Sequence, residues 1–406
     1  MIEINSGFLP LTDAAILIIA KEMGFAEEQG IALNLLRETS WANIRDRLAV
    51  GQFEVAHCLA PMPIASNLGL TPFATPLIAP MALGMGGNAV TVSYDIYEKM
   101  CAFGYDGQFD AAIAGGFFHK VVMDIQQNGG RKLNLGVVHP FSAHNFELRY
   151  WLSSMGISPD QDVQIKIIPP LLMADALNAG QIDGFCVGEP WNSLTISKSF
   201  GKVITTKTAI WASSPEKVLA VQSDWADKNQ DALQALLVAL VKAAKWCSTK
   251  QNFEKLARIL STEPYLNMPV DLVLGALNGS LSSSVSIDAD DKLPFLEFYE
   301  NAATFPWQSH ALWLYSQMVR WGHLEHSAKN AEIARSSFRP DIYRAALKST
   351  DAIIPSGNSK VEGALKTRTA VGAASNTLYL GPDGFFDDHV FDPDQIDRYI
   401  SGQSFV

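Results

Sequence analysis

The chain has 406 residues, of which 48% are apolar and 18% charged, so it is long and apolar enough for two ordered lobes and too apolar for a disordered chain. Its formal net charge is −11, and no cluster of lysine and arginine interrupts this acidity, which excludes nucleic acid and an anionic membrane as direct partners. The four cysteines form no CxxC pair, which argues against zinc, and we predict that Cys58 and Cys186 are buried free thiols.

The amino-terminal run MIEINSGFLPLTDAAILIIAKEMG predicts a strand followed by a helix over residues 12–23. An acid stands where a secretory signal would carry basic residues, so we do not interpret this run as a leader. We therefore expect a cytoplasmic protein for the sequence as written, or a periplasmic one if a leader was removed. Residues 59–93 carry no charge, but five prolines divide them, so we predict buried loops and strands instead of a membrane span.

Short apolar strands then alternate with amphipathic helices up to about residue 205, and the strand-like segments NAVTVS and KVITTKTAIW bracket the second part of this region. This order predicts α/β layers with largely parallel sheets. From about residue 225 onward the apolar residues recur at three- and four-residue intervals, which predicts a helical region. The acidic end, FFDDHVFDPDQIDRYISG, is expected to be a loop-like, solvated tail that is packed by its aromatic residues.

One phrase occurs twice, as RLAVGQFEVAHCLAPM and as ALNAGQIDGFCVGEPW. In both copies a glycine can end a helix in the left-handed conformation, a strand follows, and Pro61 or Pro190 opens the next helix at its first position. A helix amino terminus at the carboxyl end of a strand can bind an anion, although the same pattern is also ordinary α/β construction. The repeat predicts two similarly wound lobes. Gly188 in the second copy permits a closer backbone approach than Leu59 in the first, so we expect the second copy to contact the ligand.

Three side chains are candidates for holding an anion. Trp41 follows the N-cap residue Ser40, so its indole either covers a small ligand or packs against a neighbouring helix. His144 lies in the first turn of a helix capped by Ser142, where a neutral imidazole can donate one hydrogen bond or serve only as a polar packing residue. Lys217 precedes a strand and would match an anion if it points into a dry cleft instead of solvent.

The sequence contains none of several common enzyme motifs in the structural context that each requires. The segment GMGGNA is followed by the strand-like VTVS and not by the helix that a dinucleotide fingerprint requires. There is no P-loop, GxSxG or HExxH motif, and the acidic residues form no obvious pair for general acid/base catalysis. We therefore predict binding without catalysis, with no cofactor and no metal ion.

Several segments together resemble the nitrate/bicarbonate-binding family of ABC-transporter solute-binding proteins over nearly the whole chain. They are SGFLPLTDAAILIIAKEMGFAEEQGI, SWANIRDRLAVGQFEVAHCLAPMPIASNLGL, GGNAVTVS, HNFELRYWL and DGFCVGEPWN. The resemblance implies a two-lobed, type II periplasmic-binding-protein fold of the α/β class, with a mainly parallel sheet in each lobe and a helical C-terminal extension. We expect residues 1–91 and 206–406 to form lobe 1 with that extension, residues 92–205 to form lobe 2, and the ligand cleft to lie between them.

Residue by residue, the resemblance makes Trp41 a wall of the pocket, His144 and Lys217 direct ligands, Gly188 a backbone contact and Asn88 an amide donor near the hinge. Nitrate and nitrite accept hydrogen bonds only, and the donors that can be named outnumber the acceptors, so either is favoured over bicarbonate. Bicarbonate-specialised members have an acidic pattern near the position of Lys217, and Glu216 stands beside it here, so which of the two faces the cleft stays open.

The resemblance also implies two alternative partners. Soluble members of the family sense nitrate and nitrite and hold an RNA-binding antitermination regulator inactive until the anion binds, and a sequence without a leader favours this role. Transport members deliver the anion to an ABC permease. In neither case do we expect direct nucleic-acid contact or membrane insertion. Lobe closure on the ligand would carry the signal.

Overall fold

The computed structural model describes residues 1–281, 294–373 and 376–403. The first region supplies most of one sheet, with a short 3₁₀ turn at Thr12–Ala14 before its first helix. Its elements are β1 (Ile2–Phe8), α1 (Ala15–Glu22), α2 (Phe25–Glu28), β2 (Ile31–Arg37), α3 (Trp41–Ala49), β3 (Val55–Leu59), α4 (Pro61–Asn67) and β4 (Leu77–Ala82).

The middle region crosses to a second sheet and then returns. Its elements are β5 (Met85–Gly86), β6 (Asn88–Ser93), α5 (Tyr94–Ala102), α6 (Ala111–Gln127), β7 (Leu133–Val137), α7 (Ala143–Ser154), β8 (Val163–Ile167), α8 (Met173–Asn178), β9 (Gly184–Gly188), α9 (Trp191–Ser197), β10 (Gly201–Thr206), α10 (Lys207–Ile210) and β11 (Lys217–Gln222).

The last region is mostly helical, as its sequence period predicts. Its elements are α11 (Ser223–Lys228), α12 (Gln230–Ser248), α13 (Phe253–Leu260), α14 (Val270–Leu277), β12 (Leu296–Glu297), α15 (Gln308–Arg320), α16 (Ala328–Ser337), α17 (Pro340–Leu347), β13 (Thr369–Val371), β14 (Leu378–Leu380) and α18 (Ile396–Gly402).

The two main sheets have the strand orders β2-β1-β3-β11-β4 and β10-β6-β9-β7-β8. This confirms the two-lobed α/β fold. In each sheet four of the five strands run in one direction, as expected for a mainly parallel sheet, and one strand runs against them, which gives two parallel and two antiparallel pairings. The reversed strands are β6 and β11, by which the chain enters each sheet after a crossing. The exact domain boundaries stay a prediction.

Both copies of the repeated phrase have the expected helix end, since Gly51 and Gly180 adopt φ values of +74° and +68°. Pro61 opens α4 at its first position. Pro190, in contrast, is the N-cap residue of α9, so the expected position is wrong by one residue. The second half of KVITTKTAIW is also helical instead of extended, because Thr206 caps α10 by accepting a hydrogen bond from the amide of Ala209.

The C-terminal segment connects both lobes. Helix α15 packs against α4 on one side and α7 on the other. Phe385 stacks on Trp211 in the returning crossing, with ring centroids 4.6 Å apart, and Asp387 accepts a hydrogen bond from Tyr150 of α7 at 2.8 Å. The expectation of a loop-like tail is therefore wrong in part: Phe385 is buried, and α18 is a helix. Of the helices in the described ranges, none has the length and apolarity needed to cross a membrane.

Candidate functional site

Trp41 is placed by the start of α3. The Ser40 hydroxyl accepts a hydrogen bond from the Asn43 amide at 3.2 Å, which fixes Trp41 as the first helical residue. Its ring is 1% exposed and lies 5.4 Å from the His57 ring, and Lys217 Nζ lies 5.2 Å from its centroid. The indole Nε1 is buried without a hydrogen-bond partner in the described part of the chain. An indole donor is thus held inside the protein with its hydrogen unused.

Lys217 is the first residue of β11 and pairs with Leu59 at the end of β3. Its ammonium is 1% exposed and donates to Asp13 Oδ2 at 2.8 Å and to Glu216 Oε1 at 2.6 Å. Burial alone would lower the pKa of Lys217, but Asp13 and Glu216 outweigh burial and raise that pKa above its ordinary value. The lysine is therefore a charged group buried between two carboxylates.

His144 lies in the first turn of α7, where Ser142 is the N-cap residue and accepts from the Asn145 amide at 3.2 Å. Its Nδ1 is 2.9 Å from Glu216 Oε1 and 3.4 Å from Asn88 Nδ2. Its Nε2 is buried and has no hydrogen-bond partner among the described residues. Burial lowers the pKa of His144 although Glu216 raises it in part, so the ring is neutral near pH 7.

Asn88 and Gly188 face one another across the β6–β9 pairing. A Cβ on Gly188 would lie 2.9 Å from Asn88 Oδ1 and 3.7 Å from Asp13 Oδ2. The glycine thus lets the Asn88 amide lie close to the backbone of β9, and the expected approach of a ligand to this backbone stays a prediction. Asn88 Oδ1 is itself buried without a partner in the described ranges.

Further buried charged side chains lie on the other side of Glu216. Lys207 contacts the Glu216 carboxylate, donates to the Pro215 carbonyl at 2.7 Å and lies 3.2 Å from Glu147 Oε1. Ser214 donates to the same Glu147 oxygen at 2.7 Å. Burial raises the pKa of Glu147 to about 8. Burial would also raise the pKa of Glu216, but Lys207, Lys217 and His144 together hold it well below its ordinary value.

The five residues singled out in the sequence lie in one buried cluster: Trp41, Asn88, His144, Gly188 and Lys217. Whether each contacts a ligand stays a prediction. The count of donors in the sequence did not include the acids that already accept from them. Asp13 and Glu216 both accept from Lys217, and Glu216 also lies within hydrogen-bonding distance of His144. The position of Glu216 next to Lys217 in the sequence signalled this acid, and both side chains are buried. No motif signalled Asp13, which reaches Lys217 from the turn before α1.

His57 belongs to the same cluster. Its Nε2 is 3.0 Å from Asp13 Oδ1, so the imidazole lies against the carboxylate that also accepts from Lys217. It is fully buried, as expected for a core histidine, and burial lowers its pKa. Within the described residues, no three His, Cys, Asp or Glu side chains are arranged to hold a metal ion.

Comparison with known proteins assigns the chain to a family. A family model described as NMT1-like matches residues 2–261. The nitrate/nitrite binding protein NrtA of Nostoc sp. is 30% identical over 403 residues, which cover 97% of this chain and 84% of that protein. The nitrate import ATP-binding protein NrtC of Synechocystis sp. is 33% identical over 351 residues, or 86% of this chain, and the chain spans only 50% of that longer relative.

Solved structures of binding proteins superpose on this fold. The periplasmic nitrate-binding protein NrtA from Synechocystis PCC 6803 superposes with a TM-score of 0.84 at 26% identity, over 99% of this chain and 98% of that one. The alkanesulfonate-binding protein SsuA from Xanthomonas axonopodis superposes with a TM-score of 0.55 at 13% identity, which is a likeness of fold alone.

Proposed function

The chain belongs to the NMT1-like family and, within it, to the nitrate/bicarbonate-binding family of ABC-transporter solute-binding proteins, and from this premise we propose that it binds nitrate or nitrite reversibly, without catalysis, in the buried cluster around Lys217. The relatives at about 30% identity are binding proteins and transport components, and a small planar oxyanion is the ligand for which two of them are named.

One observation carries the proposal: a buried ammonium, a buried indole and a buried imidazole meet at one place. The Lys217 ammonium, the Trp41 indole and the His144 imidazole each lie within the cluster, and the last two have nitrogens without partners among the described residues. Buried polar groups are nearly always hydrogen-bonded, so these nitrogens need a ligand or water as a partner. An anion that only accepts hydrogen bonds fits the ammonium and the indole directly, and it fits the imidazole once Nε2 carries a proton.

Bicarbonate is the second candidate, and the acids favour it. Asp13 and Glu216 place two carboxylates beside Lys217, at 2.8 and 2.6 Å. A carboxylate repels nitrate but accepts a hydrogen bond from the hydroxyl of bicarbonate. Nitrate and nitrite remain the first proposal because of the named relatives.

Two roles fit this binding activity. In a sensor, anion-driven closure of the lobes would release an RNA-binding regulator in the cytoplasm; in a transport component, it would present the anion to an ABC permease outside the cytoplasm. The relatives support transport at least as well as sensing. Purification of the native protein from its source, followed by intact-mass analysis, separates the roles: a processed, lipid-bearing amino terminus supports transport, and co-purification of a regulator that nitrate releases supports sensing.

Binding itself is tested by titration calorimetry of the purified chain with nitrate, nitrite and bicarbonate, and with chloride as the control anion. We expect saturable binding of nitrate or nitrite at one site. Heat from bicarbonate alone would replace the first candidate with the second. Absence of binding with all three oxyanions would contradict the proposal.

A further inference from the structure

We propose that His144 takes up one proton when the cluster binds nitrate, so that the bound state pairs the anion with an imidazolium. This inference rests on the proposed function and deepens it, since it concerns how that same site accepts a negative charge. Two independent features of the cluster support it: the orientation of the His144 ring, and the sum of the charges around that ring.

The ring orientation fixes where the hydrogen lies. His144 Nδ1 is 2.9 Å from the Glu216 carboxylate, which only accepts hydrogen bonds. A neutral His144 therefore carries its one hydrogen on Nδ1 and donates it to Glu216. Its Nε2 is then a lone pair, and that nitrogen is buried with no partner in the described residues. A lone pair repels nitrate, so Nε2 can serve the anion only after it gains a proton.

The charge sum gives the same result. The Asp13 and Glu216 carboxylates balance the Lys207 and Lys217 ammoniums, and the pKa values of Asp13 and Glu216 are lowered while that of Lys217 is raised. Glu147, with a pKa raised to about 8, is largely neutral at pH 7. The cluster without ligand is therefore neutral. Nitrate would leave one uncompensated negative charge in a buried site, which is costly unless a proton enters with it.

The groups that face His144 decide which residue accepts this proton. Glu216 raises the pKa of His144, but burial and the Lys217 and Lys207 ammoniums outweigh it, so the free ring is neutral. A bound anion reverses that balance. The titratable and charged groups around the ring are Glu216, Lys217 and Lys207 from the returning crossing, Glu147 on the same helix, and His139 before that helix.

The sign of the pH dependence follows. Between the lowered pKa of free His144 and its higher pKa in the complex, binding adds one proton, so protons favour the complex. The association constant for nitrate then falls by about tenfold per pH unit as the pH rises through this window. Nitrate is the right probe because it carries no proton of its own near neutral pH. A ligand with a hydroxyl could donate to Nε2, so the ring orientation alone would not require a proton for it, and the test would be less clear.

The test is titration of the full chain with nitrate in two buffers that differ in ionisation enthalpy. The dependence of the observed heat on the buffer gives the number of protons taken up. We expect close to one for the wild-type protein at a pH within the window. His144→Gln supplies a neutral donor, so we expect weaker binding with an uptake close to zero and no pH dependence. His57→Gln, which alters the other buried imidazole of the cluster, should keep the uptake.

Nitrogen-15 NMR of the imidazoles provides a second measurement that needs no variant. Nitrate should convert the His144 resonance from a neutral to a doubly protonated ring. Binding of nitrate with no proton uptake and no such conversion would overturn this inference and leave the proposed function intact. Loss of uptake in His57→Gln but not in His144→Gln would overturn the assignment to His144. Absence of binding by nitrate, nitrite and bicarbonate would overturn both proposals.

Discussion

At the scale of single residues, Lys217 is the ammonium that lies beside Trp41 in the candidate site. We predict that Lys217→Ala weakens nitrate binding by about 1.5–3 kcal/mol, the range for losing a hydrogen bond to a charged group. The variant also leaves Asp13 and Glu216 without their shared cation, so its free energy of unfolding should fall as well. Calorimetry measures the affinity, and Lys242→Ala, which removes an exposed lysine paired with Glu28, is the matched control. Wild-type affinity in the Lys217 variant would place this residue outside the ligand's reach.

Gly188 gives a second test at the same scale. A Cβ there would lie 2.9 Å from Asn88 Oδ1, so Gly188→Ala forces the Asn88 amide to shift and narrows the space beside it. We expect at least about a tenfold loss in nitrate affinity, or roughly 1.4 kcal/mol. Gly116→Ala is the control, because an added Cβ on that exposed helical glycine meets no atom within 4 Å. Equal affinities of the two variants would contradict a ligand contact at Gly188.

Residue types in the sequence predicted members of the buried cluster but not its charge balance. Trp41, His144 and Lys217 stood out because each follows a cap or precedes a strand, and such local rules can be seen in the letters. The pairing of Lys217 with Asp13 joins residues 204 positions apart, which no local rule predicts. The neutral cluster could be found only after the fold had brought the crossing and the turn before α1 together.

At the scale of elements, the helix caps position the site. Ser40 caps α3, which carries Trp41, and Ser327 caps α16 in the same way by accepting from the Asn330 amide. Loss of either hydroxyl should lower the free energy of unfolding by about 1 kcal/mol. We predict that Ser40→Ala also weakens nitrate binding, because the start of α3 frays and the indole loses its fixed position, whereas Ser327→Ala leaves affinity unchanged. Denaturant unfolding and calorimetry on both variants check this, and equal affinities would show that the cap of α3 has no part in binding.

Elements in regular α/β units were predictable, whereas elements at the crossings were not. The period of the residues from β1 to α4 revealed the strands and helices of this region, except the one-turn helix α2. In the returning crossing, β-branched residues in KVITTKTAIW favoured a strand throughout. The Thr206 cap changes the second half to α10, and this turn brings Lys207 beneath Glu216. The local cap here outweighs the strand preference of the following residues.

At the scale of the whole molecule, a second buried ion cluster holds the C-terminal segment. Glu362 accepts from Ser309 Oγ at 2.6 Å and contacts Lys360, which also contacts Asp383 at 2.6 Å. Burial would raise the pKa of Glu362, but Lys360 and His310 hold it at about 2, below its ordinary value of 4.5. A carboxyl with a lowered pKa stabilises the fold fully above pH 4.5, and that contribution disappears as the pH falls towards 2.

We therefore predict that Glu362→Gln lowers the free energy of unfolding by about 3 kcal/mol at neutral pH, the cost of breaking a buried ion pair, with little effect on nitrate affinity. The variant should also lose less stability than the wild type on acidification from pH 4.5. Denaturant unfolding across this pH range tests both points, with Glu332→Gln, which alters an exposed carboxylate on α16, as the control. A parallel acid dependence in wild type and variant would show that Glu362 is not the group that titrates.

The central claim is that a planar oxyanion lies in the cluster formed by Trp41, Asn88, His144, Gly188 and Lys217. A crystal structure of the protein with nitrate tests it most directly. We expect planar density within hydrogen-bonding distance of Trp41 Nε1, His144 Nε2 and Lys217 Nζ. Nitrate bound elsewhere, with this cluster unchanged and its donors unengaged, would contradict it.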